Sequence, residues 1–545
     1  MNPSDLREIE RRRTFAIISH PDAGKTTMTE KLLLYGGAIH EAGEVKAKKE
    51  RRSARSDWMK LEQERGISVS TSVMQFDYSG LKINLLDTPG HADFSEDTYR
   101  TLAAVDSAVM ILDNAKGVEK QTRKLFEVCR LRRTPIFTFV NKLDREGRSP
   151  FDLMDEVEKI LNIQCNPISW PIGMGKGFRG IYHRLYKKVI LFRDQGFATE
   201  EADELQFASV ADPRLTELLG AENHWQLQED IELVEGTLGD FDHKAFLAGE
   251  VTPVMFGSAR TNFGVGAFLE LFKDIAPPPG DMPSYSGPVH PTDEDFSGFV
   301  FKIQANMDKM HRDRIIFMRI CSGKFERGMY AKVARTNKEV RLSHSTQFMA
   351  RDRSLVEEAY AGDIIGLHDS GNCKIGDTLY SGNKRIEFSG IPQFSPEHFA
   401  KIDLAEPLKR KQFNKGIHEL CEEGTVQMFI DPRVGDQDPV LGAVGQLQFE
   451  VLLYRMKDEY NVDVKLRPQP FKHARWIRFK DGRDAKPNPH DIKGTLSCLQ
   501  DRLGNLVGLF TSDFHLDWAT HNNPEIAFLE SMQTKVATEA GVNNV

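Results

Sequence analysis

Across the first 280 residues, short apolar runs alternate with longer stretches of helical period. The runs are Phe15-Ala16-Ile17-Ile18, Ile83-Asn84-Leu85-Leu86, Ala108-Val109-Met110-Ile111-Leu112, Ile136-Phe137-Thr138-Phe139-Val140 and, after a long interval, Thr252-Pro253-Val254-Met255-Phe256. Continuous apolar runs of this length, each followed by a helix, predict buried strands of a mostly parallel sheet covered on both faces. Loops at the C-terminal ends of such strands hold the ligand in open α/β sheets. Ala276-Pro277-Pro278-Pro279-Gly280-Asp281 breaks any helix and reads as a linker. From Phe296 to about Thr378, short β-branched and aromatic runs separated by turns such as Ser322-Gly323 and Ile375-Gly376-Asp377 predict a small β-barrel. After Pro392, helical stretches (Pro407 to Glu423, Gly445 to Tyr460) alternate with strand-like runs such as Gln427-Met428-Phe429-Ile430. The expected architecture is therefore an α/β domain over 1–280 with a helical insertion at about 160–250, a β-barrel domain over 281–390 and an α+β domain over 391–545.

The length of 545 residues agrees with several domains, and 40% hydrophobic with 28% charged residues lies in the ordinary globular range. Six Cys with no close pairing argue against a disulfide scaffold or a zinc site and fit a reducing compartment. No apolar stretch is long enough for a signal or a membrane span, so the expected location is the cytoplasm. The net charge of −8 is unevenly spread. Residues 199–250 carry 14 Asp/Glu against 2 Lys/Arg, either a solvated face or a docking surface for a basic partner. Residues 465–493 reverse the bias with 9 Lys/Arg to 3 Asp/Glu around Phe471, Trp476 and Phe479, either a nucleic-acid groove or a solvated edge whose aromatics face a core.

Candidate chemistry sits at the strand ends. Ser19-His20-Pro21-Asp22-Ala23-Gly24-Lys25-Thr26-Thr27 follows the first run and opens a helix, the order a phosphate-binding loop requires. Gly24 lets the backbone fold round an anion, Lys25 supplies a point charge and Thr26 offers a hydroxyl to Mg²⁺. The first Gly of the usual pattern is Ser19 here. Asp87-Thr88-Pro89-Gly90-His91 ends the second run, where Asp87 can hold Mg²⁺ through water and the Gly90 N–H can meet a γ-phosphate. Asn141-Lys142-Leu143-Asp144 ends another. An Asp144 carboxylate there accepts from both N1–H and the 2-amino group of guanine, whereas adenine would leave it unpaired at a cost of about 1–3 kcal/mol. Ser258 and Ala259 follow the last run, and a backbone N–H there can cover guanine O6. Four such motifs, each at a separate predicted strand end, point to GTP/GDP binding and exclude an ATP-driven enzyme. Ser68, in Glu64-Arg65-Gly66-Ile67-Ser68, is expected to complete the Mg²⁺ shell while GTP is bound, and the basic stretch Lys46 to Arg55 to order with it. His91 is placed to orient the water that attacks the γ-phosphorus.

These segments, together with Ser56-Asp57-Trp58-Met59, Gly298-Phe299-Val300-Phe301-Lys302-Ile303-Gln304-Ala305-Asn306-Met307-Asp308 and Glu357-Glu358-Ala359-Tyr360, resemble those of translational GTPases, and among them the bacterial class II peptide release factors. The resemblance runs from about residue 10 to about residue 476. It implies a cytoplasmic, monomeric GTP hydrolase, stimulated by the ribosome through its RNA and proteins, that promotes departure of class I release factors after the peptide is freed. Two other readings stand beside it: an elongation-factor-like translocation GTPase, and a GTP-switched docking protein that does not hydrolyse.

Overall fold

The computed structural model describes residues 1–37, 69–191, 204–207, 209–305, 314–343, 345–348, 353–389, 391, 393–481 and 487–532. Ser68, the basic stretch 46–55 and the segments 56–59 and 306–308 lie outside them. The chain forms two compact units.

The first unit takes Met1–His91, Thr101–Gly280 and Thr346–Ile364. After helix α1 (Pro3–Glu10) come β1 (Arg12–Ser19), α2 (Lys25–Tyr35), β2 (Ser72–Tyr78), β3 (Leu81–Asp87), α3 (Ser95–Leu102, whose residues up to Arg100 belong to the second unit), β4 (Ser107–Asp113), α4 (Lys120–Leu131), β5 (Ile136–Asn141), α5 (Pro150–Leu161) and β6 (Gln164–Pro167). The sheet is closed by β11 (Val251–Phe256), which leads into the last helix of the unit, Val265–Ile275. The seven strands lie in the order β2-β3-β1-β4-β5-β11-β6. All neighbours are parallel except β2, an antiparallel edge strand that the run pattern does not reveal. Register sets Ile17 opposite Asp87, Ser19 opposite Ile111, Asp113 opposite Asn141 and Val140 opposite Phe256. The loops after β1, β3, β4, β5 and β11 therefore leave the same edge of the sheet.

That edge is held by a core in which Phe15, Phe137, Phe139, Phe256, Phe268 and Phe272 are fully buried, with Phe137 meeting Phe272 at 5.2 Å and Phe268 at 5.9 Å. Each such ring contributes about 1.5–3 kcal/mol by burial. Residues 353–364 pack into the same unit: Arg12 Nε donates to Asp363 Oδ2 at 2.7 Å, and Thr14 Oγ1 donates to the Gly362 carbonyl at 2.6 Å.

The insertion is more than helical. It carries a four-stranded antiparallel sheet of β7 (Ser169–Ile172), β8 (Gly180–His183), β9 (Lys188–Leu191) and β10 (Glu204–Gln206), and only then helices α6 (Arg214–Leu219), α7 (Ala221–Leu238) and α8 (His243–Leu247). Trp170 of β7 is buried and its indole N–H donates to Asp230 of α7 at 2.9 Å. No Lys or Arg occurs in α7.

The second unit takes Ala92–Arg100, Asp281–Ser345 and Ile365–Val545. Its first part is antiparallel, with Ser297–Ala305 central between Arg314–Ser322 and Thr378–Tyr380. Its second part is a sheet of eight strands backed by helices Arg410–Glu422, Gln446–Asp458 and Asp513–Asn522. Phe413, Ile417, Leu420, Leu452 and Met456 fill one core between helices and sheet. Trp476 sits in another with Phe399, Phe429 and Val507, its indole N–H donating to Asp501 at 3.0 Å; Phe471 packs against the same cluster. Those aromatics are core residues, which decides against the base-stacking reading of 465–493. Buried Glu423 ties the two parts together, accepting the Ala305 N–H at 2.6 Å and pairing with Arg455. Among the described residues no helix is long and apolar enough to cross a membrane.

Candidate functional site

The loop after β1 turns through two left-handed positions, Asp22 (φ 66°) and Gly24 (φ 98°), before α2 begins at Lys25. A Cβ at Gly24 would run into the Asn141 side-chain amide, so only Gly fits there. The turn leaves the N–H groups at the start of α2 facing the loop, the geometry by which helix N-termini hold anions. Ser19, which replaces the usual first Gly, is buried, and its hydroxyl donates to the His20 carbonyl at 3.0 Å. Thr26 and Thr27 are half-buried in the first turn of α2, while Pro21 is exposed.

Asn141, at the end of β5, joins three loops. Its Nδ2 donates to the Ala23 carbonyl at 2.8 Å, and its Oδ1 accepts the N–H of Ala259 at 2.8 Å and of Lys142 at 2.8 Å. Lys142 (φ 72°) reaches across to the Asp22 carbonyl and pairs with Asp113 at 2.7 Å. Ser258 Oγ donates to Asp144 Oδ1 at 2.7 Å, and Leu143 N–H donates to the Gly257 carbonyl at 3.2 Å. The motifs after β1, β5 and β11 are thus one hydrogen-bonded assembly.

The loop after β3 joins them. Lys25 Nζ pairs with Asp87 Oδ1, both buried, while Asp87 Oδ2 has no hydrogen-bond partner among the described groups. A buried carboxylate oxygen with free lone pairs is costly unless a donor or cation meets it, which suits a hydrated divalent ion beside the phosphate loop. Thr88 donates its hydroxyl to the Ile17 carbonyl at 2.6 Å, so its side chain fixes the loop on β1. The Gly90 Cα faces Pro21, since a Cβ built there would lie 3.8 Å from Pro21 Cα. Pro89 is buried and His91 half-buried at the end of the loop. Ser68 lies outside the described residues.

Two residues missed by the motif reading belong here. Asp113 ends β4 directly beside Asn141, accepts the Ala115 N–H at 2.8 Å and anchors Lys142. Burial alone would raise its pKa, but the Lys142 ammonium and the backbone N–H groups pull it below the usual carboxylate value. Its place at a C-terminal strand end was the available signal. Glu119 approaches His20 Nε2 at 3.3 Å, yet burial pushes the His20 pKa below the ordinary histidine value against that carboxylate's pull. His20 is thus a buried imidazole of the loop itself, its charged form disfavoured by burial.

Residues 10–278 match the family model described as elongation factor Tu GTP binding domain, 295–382 that of elongation factor G domain 2, and 388–520 that of class II release factor RF3, C-terminal domain. The chain is 53% identical over 529 residues to peptide chain release factor 3 of Symbiobacterium thermophilum, covering 97% of this chain and 99% of the relative. It is 53% identical over 525 residues to peptide chain release factor 3 of Staphylococcus carnosus, covering 95% and 98%. A crystal structure of a protein from Thermus thermophilus shares the fold with a TM-score of 0.67 at 23% identity, over 86% of this chain and 71% of that one.

Proposed function

This chain belongs to the peptide chain release factor 3 family, GTPases of translation termination, and on that footing we propose the residues and steps by which it works. Guanine nucleotide binds where the loops after β1, β3, β5 and β11 meet. The observation that carries this reading is Asn141, whose one side chain ties the phosphate loop to the 258–259 loop. Ser19 to Thr27 wrap the phosphates, with Lys25 opposing their charge. Asp144, oriented by Ser258, reads the guanine N1–H and 2-amino group. Mg²⁺, held by the hydroxyls of Thr26 and Ser68 and by Asp87 through water, would supply positive charge to the β- and γ-phosphates. The main-chain N–H of Gly90 meets the γ-phosphate, and His91 orients the attacking water. The products are GDP and phosphate.

No Arg stands beside Lys25 and Asp87 among their described partners to neutralise transition-state charge. GTPases of this loop type turn over alone at roughly 10⁻³ to 10⁻⁴ s⁻¹ and accelerate about 10⁵-fold when activated. That factor is about 7 kcal/mol of barrier. The ribosome supplies it by fixing His91, and the resulting change expels a class I release factor after peptide release. The protein acts as a cytoplasmic monomer, divided into a GTP-binding domain over 1–280, a β-barrel domain over 281–390 and an α+β domain over 391–545. The translocase and non-hydrolysing alternatives fall with the family membership.

The test is GTP hydrolysis with and without 70S ribosomes, alongside the rate at which a fluorescently labelled class I factor leaves a termination complex. Stimulation of both supports the reading; hydrolysis indifferent to ribosomes would refute it.

A further inference from the structure

Tyr35 is the last residue of α2, the helix that begins at Lys25. Two groups hydrogen-bond its hydroxyl, the Asn262 side chain and the Gly266 backbone. Burial pushes the Tyr35 pKa up, and both bonds pull it down against that. Only donors favour the ionised phenol, so both bonds are donated to the Tyr35 oxygen. Asn262 therefore donates through its amide nitrogen, in keeping with Asn262 Oδ1, which is buried and has no hydrogen-bond partner among the described groups. Gly266 is the second residue of helix Val265–Ile275, whose N-cap Gly264 (φ 77°) has no side chain to cap with. Tyr35 meets one of the N–H groups that such a helix start leaves open. A Cβ at Gly266 would lie 3.3 Å from the Tyr35 ring and hydroxyl, so Gly there lets α2 and the helix come this close.

Asn262 belongs to the turn that follows β11. It is buried and left-handed (φ 61°), and its own N–H donates to the Ala259 carbonyl at 3.2 Å. Around it Ser258 and Phe263 exchange N–H to carbonyl bonds, each at 3.0 Å. The same turn carries Ser258 Oγ, which holds Asp144. Through Tyr35 the far end of α2 is thus fastened to the turn that serves the base, while the near end carries Lys25, which opposes the phosphates. The helix between them has 11 residues, a rod of about 16 Å. Asn141 ties the phosphate loop to the same turn directly, through Ala23 and Ala259. Tyr35 is a second tie, made through α2.

We propose that Tyr35 is a positioning residue for guanine nucleotide: by holding Asn262 and the start of helix Val265–Ile275, it sets the distance between the base-side turn and Lys25 before nucleotide arrives. This rests on the reading of the four loops as the guanine nucleotide pocket. Tyr35 acts through Asn262 rather than by touching the nucleotide. Fixing both halves of the pocket in advance removes ordering that binding would otherwise have to supply, which lengthens the nucleotide's residence. Without the hydroxyl, the Asn262 amide loses its Tyr35 acceptor and the turn is free to shift against α2. The effect is on the scale of one hydrogen bond, about fivefold in affinity.

The experiment measures release of mant-GDP, and kcat and KM for GTP on 70S ribosomes, for wild type, Tyr35→Phe, Asn262→Gly, the double variant and Lys25→Ala. Gly at 262 keeps the left-handed backbone while removing the amide. Tyr35→Phe should release mant-GDP about fivefold faster and raise KM for GTP by a similar factor, with kcat unchanged. Asn262→Gly should do the same, and the double variant should be no worse than either alone, since both remove one bond. An unchanged release rate in Tyr35→Phe would overturn the proposal. So would a fall in kcat with KM unchanged, the mark of a partly misfolded protein, or losses that multiply in the double variant. Lys25→Ala separates the two readings. If it holds mant-GDP like wild type, the pocket assignment itself fails; if it loses mant-GDP while Tyr35→Phe behaves as wild type, only the role of Tyr35 falls.

Discussion

Lys25 and Asp87 form a buried ion pair, Nζ against Oδ1, that joins the start of α2 to the end of β3. Breaking a buried pair by removing one partner leaves an uncompensated charge and typically costs about 3–5 kcal/mol, whereas removing both costs far less. Lys25→Ala should therefore lose nucleotide binding and also melt several degrees lower without nucleotide, and Lys25→Ala combined with Asp87→Ala should regain most of the lost stability. Thermal denaturation of the nucleotide-free proteins checks this; additive losses in the double variant would contradict it.

Asp144→Asn exchanges an acceptor-only carboxylate for an amide that presents donors to guanine. GDP affinity should fall by at least about 100-fold, from two charge-assisted hydrogen bonds lost, and xanthosine diphosphate should bind better than GDP. A competition assay between the two nucleotides reads the reversal directly.

His91→Ala should keep GTP affinity within about twofold and lower ribosome-stimulated hydrolysis by about 10²–10⁴-fold, the range for a positioned acid–base group. Single-turnover hydrolysis on ribosomes, measured beside equilibrium binding, separates the two effects.

Helix Gln446–Asp458 begins after Gly445, which has no side chain with which to cap it; Asp93, two residues past His91, does so by accepting the Leu447 N–H at 2.8 Å. Losing such a cap costs about 1 kcal/mol. A Cβ at Gly445 would run into the Asp93 carboxyl. Gly445→Ser should thus destabilise the wild type but be neutral or stabilising alongside Asp93→Ala, a non-additivity that a double-mutant cycle in urea would measure.

His183, in β8, is fully buried with Nε2 unpartnered, and burial together with the Lys188 ammonium pushes its pKa down to about 3 from 6.5. The folded protein keeps it neutral while the unfolded chain takes up a proton below pH 6.5. Its contribution to stability is complete above pH 6.5 and is lost as pH falls towards 3, by up to about 1.4 kcal/mol per pH unit. His183→Phe, which preserves the ring stacked on Tyr186 at 4.3 Å, should flatten the fall in melting temperature between pH 7 and pH 5; an unchanged slope would remove His183 as its source.

The parallel strands and their ligand-bearing ends were legible because continuous apolar runs and Gly-containing turns are local signals. Lys25, Asp87, Asn141 and Asp144 met as their order along the chain implies. The edge strand Ser72–Tyr78 was not legible, since its pairing with Leu81–Asp87 is a matter of register across a two-residue turn rather than of an apolar run. The sheet inside the insertion was hidden by strands of three or four residues, too short for a period to show. The hydrogen bonds of Thr88 to Ile17 and of Ala259 to Asn141 join partners far apart in sequence, which no local pattern reveals. Residues 477–520, past the end of the resemblance at about residue 476, fall within the C-terminal domain match over 388–520.

Calorimetric titration of the purified, nucleotide-free protein with GDP and then ADP, in Mg²⁺ buffer, asks most directly whether these four loops make a guanine pocket. GDP should bind at one site at least about 1,000-fold more tightly than ADP, because adenine leaves the half-buried Asp144 carboxylate unpaired. Equal affinity for the two, or no binding of either, would contradict it.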